Sequence, residues 1–299
     1  MRNGTYSIVA RDPDSGEMGV AVQSHWFSVG SIVAWARPGV GAVATQSIAE
    51  AAHGPGMLDR IAEGHGAAAA VEAVLAPDEL ASYRQLGAVD ARGAAASHTG
   101  GDCIAHAGHV IGESFACQAN MMAGEGVPEA MAAAYRSASG DLAERLLASL
   151  DAAEGAGGDV RGRQSAALLV VPPAGERWRT RFDLRVDDAA DPLAEIRRLA
   201  RFARAYEMAE QADILLARGD HDGAGELYAR AAALAPEADE LTFWAGVGVA
   251  ADDLQAGTLL VRSACASSSS WAVLLERLPA ELAPAAAAVA QELRRDSPG

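Results

Sequence analysis

Lysine is absent from this chain. All 24 of its basic side chains are arginine, set against 40 acidic ones, and the formal charge is −16. An acidic, lysine-free surface offers no basic face, so binding to nucleic acid or to an anionic membrane is not expected. The acidity runs through both halves of the sequence, and solubility accounts for it. Cysteine is also scarce. Cys103, Cys117 and Cys265 are odd in number and show no CxxC spacing, which excludes a disulfide framework and argues against a structural zinc site. No stretch approaches ~18 uninterrupted apolar residues, so no transmembrane helix is expected. The N-terminus lacks a positive patch followed by an apolar run, so no signal peptide is expected and a cytoplasmic protein is the default.

What remains is a globular composition, 50% hydrophobic and 21% charged over 299 residues. That is enough for one large or two ordinary domains with a real core. TYSIVAR (5–11) and EMGVAVQS (17–24) alternate like strands around DPDSGE, a turn sequence, and predict a hairpin. SVGSIVAWA (28–36) and GVGAVATQS (39–47) predict two more strands, and helical periodicity follows over 56–64 and 67–76. Residues 84–100 predict a hairpin turning at Asp90–Gly93, and 109–122 a single strand leading into a turn. Helix returns over 128–157, broken near Gly140, before strands over 165–173 and 178–186. Strands, central helices and strands again disfavour an alternating parallel sheet and suit helices layered on antiparallel sheets, an α+β class.

Composition shifts after VDDAADP (186–192), which divides the chain into 1–186 and a wholly helical 187–299. Within 209–236, Ala212, Leu215, Gly219, Ala224, Tyr228, Ala231 and Pro236 fall where a 34-residue tetratricopeptide helix pair places small, large, turn, small, aromatic, small and terminating residues. Fewer than three such repeats seldom stand alone, so the tail is expected to pack on the first domain or on a protein partner. The Ser run 267–271 reads as a turn or helix start.

The chemistry centres on Thr5. A Thr hydroxyl is a weak nucleophile and needs a base held beside it. The α-amine of an N-terminal Thr, ordinarily of pKa about 7.7–8.0, can be that base. Residues 1–4 would first have to go, and Gly4 before the nucleophile suits self-cleavage because its backbone bends freely and leaves its carbonyl open. A Thr opening a strand behind a Gly is equally an ordinary strand residue. Other groupings carry less. His98, Asp102, Cys103, His106 and His109 crowd SHTGGDCIAHAGH, but at no known metal-ligand spacing, and alternate strand residues face opposite ways. GVGAVATQS lacks both the GxGxxG pattern and the Lys of a phosphate-binding loop. Ser7 and Ser47 have no visible base. No metal and no cofactor are expected.

SIVARDP, GVAVQSHWFSVGSIVAWARPGVGAVATQ, VDARG, HTGGDC and GRQSAALLVV occur in this order. Together they resemble a bacterial family of uncharacterised proteins known as DUF1028, which is placed with the N-terminal-nucleophile (Ntn) hydrolases. The resemblance covers residues 5–186 and implies a four-layer αββα sandwich with the nucleophile opening the first strand. It implies Thr5 as nucleophile, Asn120 as oxyanion donor, Asp159 beside the Thr amine, and Arg37 as the positive charge that tunes it. Gln23, Ser24, His25 and Ser165 would line the substrate site, although His25 beside Trp26 and Phe27 also reads as packed. Without the resemblance, Asn120 reads as a turn residue and Asp159 as a surface loop residue.

The chain departs from the family pattern in carrying MRNG before the Thr. It also departs from proteasome-like relatives, with Gln23 in place of an Asp and no Lys to depress the nucleophile's pKa. Arg cannot shuttle a proton as that Lys does. The first expectation is an Ntn-type amidohydrolase acting on a small amide or cyclic amide. The second is a non-catalytic protein of the same fold, with an unprocessed N-terminus, that binds a small molecule, or a protein through its tail. A homodimer is the expectation in either case, since such sheets often pair at an edge.

Overall fold

The computed structural model describes residues 4–295. The chain divides into two compact units, one ending at Arg198 and one beginning at Leu199. It is a mixed α/β protein with two antiparallel sheets and ten α-helices among the described residues. The N-terminal segment expected to be removed lies mostly outside that range, since only Gly4 of residues 1–4 is described.

The first unit opens with the expected hairpin, β1 (Thr5–Arg11) and β2 (Met18–Ser24). The Asp12 carboxylate closes its turn by accepting from Ser15 N and Oγ. Next come β3 (Ala34–Arg37), β4 (Gly41–Ser47), helices α1 (His53–Ala62) and α2 (Ala67–Leu75), and the hairpin β5 (Arg84–Asp90) and β6 (Ala95–Thr99). Residues 109–122, expected as one strand, form a further hairpin, β7 (Gly108–Gly112) and β8 (Phe115–Asn120). Ser114 turns it with φ of 61°, and that reversal leaves no mark on hydrophobic periodicity. Helices α3 (Val127–Ser137) and α4 (Leu142–Gly155) and strands β9 (Ser165–Val171) and β10 (Phe182–Val186) complete the sheets.

The six-stranded sheet runs β10-β9-β2-β1-β8-β7 and the four-stranded sheet β3-β4-β5-β6. Side chains alternate across each strand, so each sheet has two apolar faces to cover. Val9, Val20, Val22, Ala116 and Ala167 of the larger sheet pack on Ala42, Ala44 and Val89 of the smaller one. The other face of the smaller sheet, with Val43, Leu86 and Ala88, is covered by Met57, Leu58, Ile61 and Val71 of α1 and α2. The other face of the larger sheet meets α3 and α4. There Tyr6 Oη donates to Glu154 (2.6 Å) and the rings of Phe115 and Tyr135 lie 4.7 Å apart. Helix α4 fits this place because Leu142, Leu146 and Leu150 recur every four residues and are all buried. Asp141 caps it by accepting from Glu144 N at 3.0 Å, worth about 1 kcal/mol.

The second unit holds most of α5 (Pro192–Ala217), then α6 (His221–Leu234), α7 (Asp239–Val249), α8 (Leu254–Ser267), α9 (Ser270–Leu275) and α10 (Ala286–Arg295). Ala212, Ala224, Tyr228 and Ala231 are buried together between α5 and α6, and Tyr228 Oη donates to Asp213. The Ser run does start a helix, α9. No described helix is long and apolar enough to cross a membrane.

Candidate functional site

Thr5 begins β1 between two neighbours, paired with Ser24 of β2 on one side and Asn120 of β8 on the other. Directly opposed residues share a face, so all three turn toward the inter-sheet layer. Thr5 is wholly buried. Its Oγ1 donates to Ser24 Oγ (3.1 Å), and Ser24 Oγ donates in turn to the Gly4 carbonyl (2.5 Å). Arg161 Nη2 donates to that same carbonyl at 3.0 Å. The carbonyl of the Gly4–Thr5 bond therefore takes two donors, one cationic and the other in contact with the Thr5 hydroxyl.

Asp159 sits behind this carbonyl with a fully buried side chain. It accepts from Arg161 N (2.9 Å), Nε (3.0 Å) and Nη2 (2.7 Å) and from His25 N (3.1 Å). The local sequence explains the arrangement. An Asp that accepts from the backbone two residues on forms an Asx-turn, and Gly162 closes it with φ of 96°, where a side chain would be strained. A Cβ at Gly4 would lie 2.7–2.9 Å from all three carboxylate atoms of Asp159, so only glycine fits there.

A buried amide network supports Thr5 from the other side. Gln85 Nε2 donates to Thr99 Oγ1, Gly108 O and Ala119 O, which fixes its Oε1 toward Asn120 Nδ2 (2.9 Å) and Gln46 Nε2 (2.7 Å). Those two amides must therefore be donors here, and both reach the Thr5 carbonyl, at 3.4 and 3.2 Å. Ser7 and Gln118 extend the chain, with Ser7 Oγ donating to Gln46 Oε1 and Gln118 Nε2 donating to Ser7 Oγ, both at 2.6 Å. Gly87 makes room for it, since a Cβ there would lie 2.4 Å from Gln118 Oε1.

The structure thus gathers Thr5, Ser24, Asn120 and Asp159, with the backbone of His25. It does not gather the others. Arg37, at the end of β3, pairs with Asp59 of α1 (2.7 Å), and the guanidinium at the cluster belongs to Arg161. Gln23 opposes Tyr6, so its side chain faces the helices and not the Thr5 hydroxyl. It is fully buried, and neither amide atom has a hydrogen-bond partner among the described residues. Ser165 opposes Ser24, but its hydroxyl donates to Trp26 O (2.5 Å) and accepts from Val29 N (3.1 Å), tying down the loop after β2. The His25 ring leaves Nδ1 buried and, among the described residues, without a hydrogen-bond partner. The Asn120 amide meets the Thr5 carbonyl rather than its hydroxyl.

Three features escape sequence reading. The inward amides were legible only as polar residues at inward positions of otherwise apolar strands. Arg161 stands two residues after Asp159, and only the turn brings it back. The third is a cleft of about 430 Å³ beside Asn120. Ser47, Ile48, Leu80, Tyr83, Asp102, Ile104 and Met121 line it with Asn120. Ser47 and Met121 hold φ of 72° and 57°, unusual for residues with side chains and a mark of functional sites. Of the histidine and cysteine cluster, His109 meets Thr99 and Cys103 meets Arg84 O. No group of three or more metal-ligating side chains forms among the described residues.

Residues 5–196 match a family of unknown function, DUF1028. Among solved structures, the chain is similar to protein SPO2555 from Silicibacter pomeroyi, itself of that family. The TM-score is 0.62 and identity 33%, over 67% of this chain and 86% of that one. None of the curated proteins matches.

Proposed function

The chain belongs to DUF1028, a family of unknown function, and we propose that it is a self-processing amidohydrolase of the Ntn class with Thr5 as its nucleophile. In this reading the two sheets and their helix pairs are the αββα sandwich of that class. The observation that carries the reading is the hydrogen-bonded path from Thr5 Oγ1 through Ser24 Oγ to the Gly4 carbonyl oxygen.

The path suits an acyl shift. Thr5 Oγ1 bonds to the Gly4 carbonyl carbon while its proton passes to Ser24, which gives its own to the carbonyl oxygen. Arg161 stabilises the charge that develops on that oxygen. The C–N bond then breaks, the nitrogen takes a proton, and water hydrolyses the resulting ester. Residues 1–4 leave as a carboxylate and Thr5 keeps a free amine. Asp159, packed against Gly4, then lies beside that amine. Its charge is already paired with Arg161, so it can orient the amine without holding it as an ammonium. The same hydroxyl, with its own amine as base, would attack a small amide entering from the cleft at Asn120. The helical second unit, tetratricopeptide-like in this reading, would serve a protein partner or a second copy.

Complete burial of the Thr5 hydroxyl favours a second reading, a binding protein whose N-terminus stays in place. Intact mass of the purified protein and of Thr5→Ala separates the two. Loss of residues 1–4 in the wild type alone supports self-processing, while Arg2–Gly4 retained in both proteins supports the binding protein.

A further inference from the structure

We infer that the cleft beside Asn120 selects a ligand that carries a cationic group on an apolar arm, so that the amide it admits is a basic one. The walls and the charge carry this. Ile48, Leu80, Tyr83, Ile104 and Met121 present apolar surface, and Leu80 and Tyr83 keep 45% and 39% of theirs exposed. A volume of about 430 Å³ lies within the roughly 300–1,000 Å³ of small-molecule sites. Among the described residues lining the cleft, Asp102 is the one that carries a charge.

Asp102 is held in place through its backbone, whose N–H donates to Ser82 O at 2.8 Å. Its carboxylate has no ion pair among the described residues. The Asp78 carboxylate, two residues before Leu80, is by contrast compensated. Asp78 is engaged by Arg84 at 2.7 Å and by His53 at 2.6 Å, and Arg84 is buried. A cation reaching Asp102 therefore meets an uncompensated anion, and an anionic ligand meets repulsion. Ser47 and Asn120 are the neutral polar groups of the lining, and Asn120 stands opposite Thr5, where an amide would sit. The role of the cleft as a substrate site rests on the amidohydrolase reading. Its preference for a cation does not.

The test is calorimetric titration of the full chain with three matched probes: 3-phenylpropylamine, 3-phenylpropanol and 3-phenylpropanoate. The amine should bind about fivefold more tightly than the alcohol, the upper range for a partly exposed ion pair, and the carboxylate more weakly than either. Asp102→Asn, an exposed change that leaves the backbone contact intact, should bring the amine and alcohol within twofold. Tyr83→Ala should weaken both. Equal binding of amine and alcohol to the wild type, a preference that survives Asp102→Asn, or binding by none of the three overturns the inference. Turnover of amides that keep a free primary amine on a phenylpropyl arm, assayed beside Thr5→Ala, is read separately. If Thr5→Ala retains turnover or the wild type has none, the amidohydrolase reading falls while the binding preference stands or falls on the titrations.

Discussion

Replacing Ser24 by alanine removes one oxygen atom that holds two positions in the proposed path. It accepts from Thr5 Oγ1 at 3.1 Å and donates to the Gly4 carbonyl at 2.5 Å. The Arg161 donor at 3.0 Å remains, so the carbonyl keeps one of its two donors. Loss of a single donor to a developing oxyanion slows acyl transfer by about 10²–10³-fold. The Thr5 proton also loses its route, so the upper end of that range is expected. The fold cost is smaller, because one buried hydroxyl is left without its acceptor, about 1–3 kcal/mol. The two effects are separable. Freshly translated wild type and Ser24→Ala are sampled over time by intact mass, and urea unfolding is run on each. A folded Ser24→Ala that loses residues 1–4 at the wild-type rate would refute the relay. Loss of those residues by Thr5→Ala would refute self-processing altogether.

Asp159→Ala removes the carboxylate that pairs with Arg161 and accepts from the His25 N–H and should lower stability by about 3 kcal/mol in urea unfolding, with Asp159→Asn losing less. Gly87→Ala drives a Cβ into Gln118 and should cost about 1–3 kcal/mol by the same measurement, through disruption of the amide network. Hydrogen bonding by Arg84, with smaller help from His53 and Leu80 N, holds the Asp78 carboxyl well below its ordinary range. A depressed folded pKa stabilises above the unfolded pKa of about 3.9, and the contribution is lost as pH falls below it. The unfolding midpoints of wild type and Asp78→Asn should therefore differ at neutral pH, begin to converge below about pH 4 and meet only once pH has fallen through the depressed folded pKa. Burial pushes the Cys117 thiol up to about 12. It should stay unreactive toward a disulfide reagent at pH 8 until the protein is denatured, while the half-buried Cys103 and Cys265 react first.

Much of this protein is set by local pattern. Alternation over 5–11 and 17–24 with an Asp-Pro turn between them dictates the first hairpin, and four-residue spacing of Leu142, Leu146 and Leu150 dictates α4. These signals are short-ranged, and each segment carries its own period. The family was also legible, because strings such as SIVARDP and GRQSAALLVV stand in a recognisable order.

Tertiary structure decided which side chains meet. Gln23 and Ser24 are adjacent in sequence, yet strand alternation sends one toward the helices and the other to the Thr5 hydroxyl. Arg37 had the right charge, but the edge strand β3 delivers it to Asp59, and a turn 124 residues later delivers Arg161 instead. The amides of Gln46, Gln85 and Asn120 lie far apart along the chain. Only the stacking of two sheets brings Gln46 and Asn120 to the Thr5 carbonyl with Gln85 Oε1 accepting from both, because burial forces each polar group to find its partner there.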